Sequence, residues 1–234
     1  MSSETHSRAP ETIPAQPFAE AERAAVYRAI HERRDMRHFC GGEVAPDVLL
    51  RLLRAAHHAP SVGFMQPWRF IRVRDAQLRQ GIHAVVEQER LQTARAGRAR
   101  GRLHAAQGPG CAGCGRGAGR GHAARARCPC LRSPHLARDG CGLGRCAIQN
   151  LWLAARAEGW GWAGSRLFDP EVLAALLQMP VGSRPLAVLC LGPVSAYYAE
   201  PMLQQQKWAS RAPLQDMLYD DLWGQRAAGA PPQA

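Results

Sequence analysis

Apolar residues recur along this chain at two different periods, and the alternation between those periods divides it into helices and strands. From Phe18 to Arg34, Val26, Ile30 and neighbouring alanines fall on one side of a helical wheel. A second helix opens at Pro46, whose fixed φ suits a first helical turn. Val48, Leu49, Leu52, Leu53 and Ala56 then recur at i, i+3 and i+4. Between Arg69 and Arg74, the apolar Phe70, Ile71 and Val73 interleave with arginines, the pattern of a strand with one wet face. Ile148, Leu151, Trp152 and Ala155 form the stripe of another helix, which should stop near Gly159. Asp169-Pro170 caps a further helix that buries Val172, Leu173, Leu176 and Leu177. Leu186 to Leu191 is a continuous apolar run with the length of a buried central strand. Irregular alternation of helices and strands predicts an α+β layered domain.

At 234 residues the chain suits one domain with a real core. It holds no apolar run of about 18 residues, so no membrane span is expected. Residues 1–17 read as a loose polar tail without the apolar centre of a secretory signal, and residues 225–234 as another, with the domain between at 18–224. A cytoplasmic location follows as the expectation, in which eight cysteines would be many for structural disulfides. A net charge of +11 would ordinarily suggest nucleic acid. Position undoes that suggestion. Residues 95–145 hold eleven Arg, no Lys and a single acid, Asp139, so almost all of the excess charge belongs to this segment.

The segment is unlike its surroundings. It lacks Val, Ile, Phe, Tyr, Trp, Met, Glu, Lys and Asn, and carries twelve of the 23 glycines and only four leucines. Neither a core helix nor a core strand is expected from it, yet about fifty structureless residues inside a compact domain are unusual. Three readings compete. Cys111, Cys114, Cys128 and Cys130 could supply four thiolates to zinc, although the second pair has one intervening residue and no apolar support. An Arg/Gly arm could bind RNA, although aromatic residues are absent. Finally, the segment could be translated out of frame. Sliding His104-Ala105-Ala106-Gln107-Gly108-Pro109 by one base permits Met-Arg-Leu-Lys-Val, a good helix segment, and sliding Leu136 to Gly140 permits Leu-Pro-Glu-Met. A smaller slip is possible at Trp162-Ala163-Gly164-Ser165-Arg166.

Two short motifs carry the chemistry. Arg33-Arg34-Asp35-Met36-Arg37 packs three guanidinium groups around one carboxylate at a helix end. The planar fork of guanidinium matches a phosphate dianion. Ala59-Pro60-Ser61-Val62-Gly63-Phe64-Met65-Gln66-Pro67-Trp68 offers a small hydroxyl, a glycine for close backbone approach and an amide that donates and accepts. A phosphate grip and a flat amide-lined pocket suit a phosphorylated planar heterocycle. Each motif also has a plainer reading, as a solvated helix end and as turn chemistry. His57 and His58 read as helix C-terminal residues, and no grouping elsewhere makes a metal site.

The pairing resembles the FMN-binding elements of the nitroreductase-like flavoproteins. Asp35, where general nitroreductases usually carry a small residue, and Phe64, where they carry Asn, make it most similar to the 5,6-dimethylbenzimidazole synthase branch. The resemblance covers roughly residues 18–94 and 146–224. It implies a nitroreductase-like mixed central sheet flanked by helices in three layers, and a homodimer with flavin at the subunit interface. One central strand should then lie inside residues 95–145; without it the chain as written should fold poorly. The resemblance also implies an enzyme that consumes reduced FMN (FMNH2) and molecular oxygen, with a separate flavin reductase as a possible partner and neither nucleic acid nor membrane involved. An NAD(P)H-dependent nitroreductase is the alternative, and a non-catalytic or RNA-binding remnant is the alternative of another class. The implied flavin contacts are Arg33, Arg34, Asp35, Met36 and Arg37, then Ser61, Val62, Gly63, Met65 and Gln66, and Arg211 near the end. Asp35 is the implied proton acceptor, kept ionised by the cations around it. Ser165 is the implied second catalytic residue, although the family's serine aligns column for column with Arg166.

The frame reading has a direct check. Sequencing the underlying DNA from several independent isolates should reveal a one-base slip bounding the segment; an uninterrupted frame with the present codons in all of them would contradict it.

Overall fold

A computed structural model describes residues 12–98, 118–119, 122–123 and 139–225. Helix α1 (Glu20–Glu32) leads into the arginine motif, and α2 (Pro46–His57) follows with Pro46 in its first turn. A 3-10 turn spans Val62–Phe64, and the long α3 runs Ala76–Arg98. Strands β1 (Ala118–Gly119) and β2 (His122–Ala123) precede α4 (Asp139–Ala157). Then come β3 (Gly161–Ser165), α5 (Pro170–Leu176), β4 (Arg184–Pro185), β5 (Val188–Gly192) and α6 (Met202–Gln205).

The central sheet has the order β1-β5-β3, antiparallel throughout. Its middle strand β5 is buried at every position, as its unbroken apolar run requires. Beyond β3, Asp35 forms a parallel bridge with Trp162, and Met36 N–H donates to Trp162 O at 2.8 Å. The arginine motif thus continues the sheet on its outer edge. The main core gathers Leu52 and Ala56 of α2, Ala147, Leu151 and Ala155 of α4, and Trp162, Leu189 and Leu191 of the sheet. A second cluster of Val73, Ile82, Phe168, Leu173 and Val188 joins α3 to α5. This is the α+β class expected from the alternation of periods.

Several elements depart from expectation. Residues 69–74 form isolated bridges at Phe70 and Val73 rather than a strand. The segment 95–145 is not wholly without regular structure. Helix α3 continues to Arg98, on Ala and Arg positions with good intrinsic helix propensity. β1 pairs with the edge of β5 through Ala118 opposite Cys190, a backbone ladder that needs no apolar side chains. α4 begins at Asp139 and buries Leu143 and Gly144. At Gly144 a Cβ would stand 2.2 Å from Leu186 Cδ1, so the glycines there allow close approach rather than forbid structure. The four cysteines of the zinc reading, residues 103–109 and the outermost parts of both tails (residues 1–11 and 226–234) lie outside the described residues. Residues 12–17 are exposed and irregular. α1 buries none of its residues, leaving its apolar Val26, Tyr27 and Ile30 exposed. Among the described residues no helix is long and apolar enough to cross a membrane, and no group of side chains could hold a metal ion.

Asp169 caps α5 by accepting from Glu171 N–H at 2.8 Å and Val172 N–H at 3.2 Å, while Leu173 is fully buried. Asp169→Ala should cost roughly 0.5–2 kcal/mol and Leu173→Ala roughly 2–5 kcal/mol in urea unfolding. Equal losses for the two would contradict this division between cap and core.

Candidate functional site

The arginine motif occupies the turn where α1 stops and the chain joins the sheet edge. The bridge to β3 buries the Met36 side chain in the core, so that residue offers the site only its backbone. Its neighbours point outward on either side. Arg33 lays its guanidinium 4.2 Å above the Trp152 ring, and Trp152 stacks on Trp162 with centroids 4.1 Å apart. Trp152 in turn donates from Nε1 to Arg34 O at 3.2 Å. This three-layer stack fixes Arg33 in place by cation–π attraction and packing.

Arg34 is otherwise engaged. Its guanidinium donates to four carbonyls: Tyr198 O at 3.0 Å, Ala199 O at 2.7 Å, His31 O at 2.8 Å and Arg33 O at 2.9 Å. It ties the motif to the segment before α6, which leaves little of its fork for a ligand. Arg37 is anchored at both ends. Tyr198 Oη, itself 2.8 Å from His38 Nδ1, accepts Arg37 N–H at 3.0 Å, and Arg37 Nη2 donates to Asp35 Oδ2 at 2.7 Å. Arg37 Nε remains buried without a partner.

Asp35 receives two donors, Arg37 Nη2 on Oδ2 and Gly164 N–H on Oδ1 at 3.2 Å. The cations expected to keep it ionised do pull its carboxyl downward, but they do not set the direction of its shift. Burial pushes its carboxyl upward, and this outweighs the opposing pull of Arg37, the Gly164 N–H and Arg33. A carboxylate so placed is a better proton acceptor than a surface aspartate. Ser165 lies one residue beyond Gly164 on β3, where its Oγ accepts Leu167 N–H at 3.3 Å; Arg166 is exposed.

Arg33, Arg34, Asp35, Arg37 and Arg211, with Leu203, line one cavity of about 250 Å³. Within it, burial first, and then the nearby Arg211 and Arg34, hold the Arg33 guanidinium below its usual value, with Asp35 opposing them. Guanidiniums gathered around one cavity, with Arg33 lowered by burial and by its cationic neighbours, fit a bound phosphate.

The second motif stands elsewhere. None of residues 61–66 lines that cavity. Ser61 Oγ accepts Gln66 N–H at 2.7 Å and closes a tight loop. Gly63, Phe64 and Gln66 all take positive φ, at 58°, 55° and 45°. A residue before proline favours extended backbone, yet the loop closure holds Gln66 left-handed, a conformation that costs of order 1–3 kcal/mol in a non-glycine residue. Val62 and Phe64 are exposed, whereas Met65 packs on the main core. His57 sits at the end of α2 and accepts Trp68 Nε1–H at 3.1 Å, a structural role. Tyr198, Trp152 and the Gly164 N–H were not foreseen as site residues: all three act from far along the chain, and one acts only through its backbone.

The helix-flanked sheet thus carries an arginine-lined cavity at its edge. Residues 30–113 match the model of the nitroreductase family. The chain is 33% identical over 202 residues to 5,6-dimethylbenzimidazole synthase of Rhodospirillum rubrum, covering 77% of this chain and 87% of that protein. It is 31% identical over 213 residues to the protein of the same name from Rhodobacter capsulatus, covering 84% and 96%. The chain therefore belongs to the nitroreductase family, a family of flavin-dependent oxidoreductases. Its fold also resembles a nitroreductase-type protein in complex with FMN from Desulfovibrio desulfuricans, with a TM-score of 0.61 at 20% identity, covering 85% of this chain and 97% of that one.

The raised Asp35 carboxyl binds its proton more tightly in the folded protein than in the unfolded chain. Its contribution to stability is therefore present at low pH and is lost as pH rises from the unfolded to the folded value. Asp35→Asn, which keeps an acceptor for Gly164 N–H, should melt at or above the parent temperature at pH 7, with the difference fading near pH 3. A variant less stable than the parent at pH 7 would contradict the assignment.

Proposed function

We propose that this protein is a 5,6-dimethylbenzimidazole synthase, acting on reduced FMN and oxygen to release the lower ligand of cobalamin. The observation that carries the reading is a single cavity in which Arg33, Arg34, Arg37 and Arg211 stand beside Asp35, a carboxyl whose proton affinity burial has raised. A general nitroreductase needs the first feature; the second adds an acid–base group on the chain itself. The names of the Rhodospirillum and Rhodobacter relatives support the same choice.

Arg33, Arg37 and Arg211 would hold the phosphate, Arg33 braced by Trp152 and Arg37 by Tyr198. Reduced FMN, when bound, supplies the electron-rich ring that reacts with oxygen; the protein contributes orientation and electrostatics. Asp35 Oδ2 would accept a proton near the sugar-alcohol chain, with Arg37 compensating its charge and Gly164 N–H fixing its rotamer. Ser61, Val62, Gly63, Met65 and Gln66 would contact the ring from a second copy of the chain, since in one copy they lie outside the arginine cavity. The exposed Val26, Tyr27 and Ile30 of α1 and the exposed Trp208, Leu214, Met217, Leu222 and Trp223 near the C-terminus support such a homodimer. Ser165, or its neighbour Gly164 through its backbone, would stand beside Asp35. A separate reductase would return flavin to the reduced state, in the cytoplasm.

The test is incubation of the protein with reduced FMN in air, followed by chromatography. Net loss of flavin with formation of the benzimidazole is expected, falling at least ~100-fold in Asp35→Asn, in line with the usual contribution of a general acid–base group. Stoichiometric recovery of oxidised FMN, or its recycling under NADPH, would favour the nitroreductase reading instead.

A further inference from the structure

A second basic cavity lies away from the flavin site. Its volume is about 730 Å³, and its walls carry Arg72, Arg74, Arg79 and Glu43, with Pro46 and Ala76 at the starts of α2 and α3. It shares no residue with the cavity around Arg33. The size falls within the roughly 300–1,000 Å³ typical of small-molecule sites.

Four observations point to an anion there. Arg72 Nε and Arg79 Nη1 are shut away from solvent with no hydrogen-bond partner. The guanidiniums of Arg72 and Arg79 are thus partly desolvated, which strengthens their attraction for an anion that reaches the cavity. Secondly, α2 and α3 both begin at this cavity, bringing the positive ends of two helix dipoles to it. Thirdly, the N-cap of α2 is Ala45, which has no side-chain acceptor, whereas Asp75 Oδ1 already takes Leu78 N–H of α3 at 2.6 Å. Fourthly, the acids around the cavity do not cancel its charge. Among the described residues Glu43 is the single acid on the wall and has an interaction of its own, while Asp75, between Arg74 and Ala76, is engaged in capping α3. Asp47 is bound by Arg51 at 2.8 Å.

We propose that this cavity binds the phosphate group of a small molecule. Three guanidiniums against one carboxylate leave a surplus that matches a phosphate dianion, whereas a single carboxylate would leave cation uncompensated. The phosphate is either free or carried on a nucleotide, and the site is independent of the flavin reading.

Titration calorimetry on the full chain with inorganic phosphate, pyrophosphate and adenosine monophosphate tests this. Saturable binding of at least one anion is expected, weakened about tenfold or more in Arg72→Gln and in Arg79→Gln, the usual worth of a charge-assisted hydrogen bond. In protein saturated with FMN, so that the arginine cavity is filled, the anion binding should persist with the same affinity, which separates this site from the flavin cavity. Glu43→Gln should tighten it severalfold, a gain that no unfolded variant can mimic. Tighter binding of the nucleotide assigns the phosphate to a nucleotide, and tighter binding of the inorganic anions assigns it to a free ion. No saturable heat from any of the three, or equal affinity in Arg72→Gln, Arg79→Gln and the parent, overturns the proposal.

Discussion

The backbone bridge between Asp35-Met36 and strand β3 is the constraint from which the arginine cavity and the proposed flavin site follow. Met36 N–H on Trp162 O puts the motif in register with a strand whose other edge is paired with the fully buried β5. That register places the Asp35 carboxyl opposite the Gly164 N–H, and puts Trp162 beneath Trp152 and Trp152 beneath Arg33. Gly164 is required by the same packing, since a Cβ there would stand 2.4 Å from Trp162 Cη2. The position of a surface cation is thus determined by the core of the sheet.

Four arginines in one cavity have divided their tasks. Arg34 satisfies backbone carbonyls and holds the Tyr198 segment against the motif. Arg37 neutralises Asp35, and Arg33 and Arg211 face one another as like charges. Such a cluster is costly when empty and becomes favourable when a dianion enters, because the same low dielectric that strengthens repulsion strengthens attraction. The carboxyl beside it is shifted by burial more than by the cations, so the pocket sets an arginine cluster beside a carboxyl of raised proton affinity.

Much of this was legible in the sequence where residues act through side chains at short range. The α2 stripe, the Asp169 cap and the apolar run of β5 each appeared as a local pattern, and each formed. The arginine motif was visible as a charge cluster. What escaped were contacts made by backbone or by distant partners. β3, with its Gly-Trp-Ala-Gly-Ser composition, has no strand period, and its order comes from pairing with β5 and from the bridge at Asp35. The Arg/Gly-rich segment looked incapable of structure because it lacks apolar period. Ladder pairing at Ala118 and close helix approach at Gly144 depend on small residues instead. The upward shift at Asp35 was likewise hidden, because sequence shows neighbouring charges but not the burial that outweighs them.

The central claim is that guanidinium groups seated on the sheet edge recognise the phosphate of FMN. Comparing the affinities of FMN and riboflavin, which differ only in that phosphate, tests it most directly. Charge-assisted contacts from Arg33, Arg37 and Arg211 should make FMN bind roughly 100-fold tighter or more, and Arg33→Gln should remove about tenfold of that difference while leaving riboflavin unaffected. Equal affinity for the two flavins in the parent protein would contradict the account.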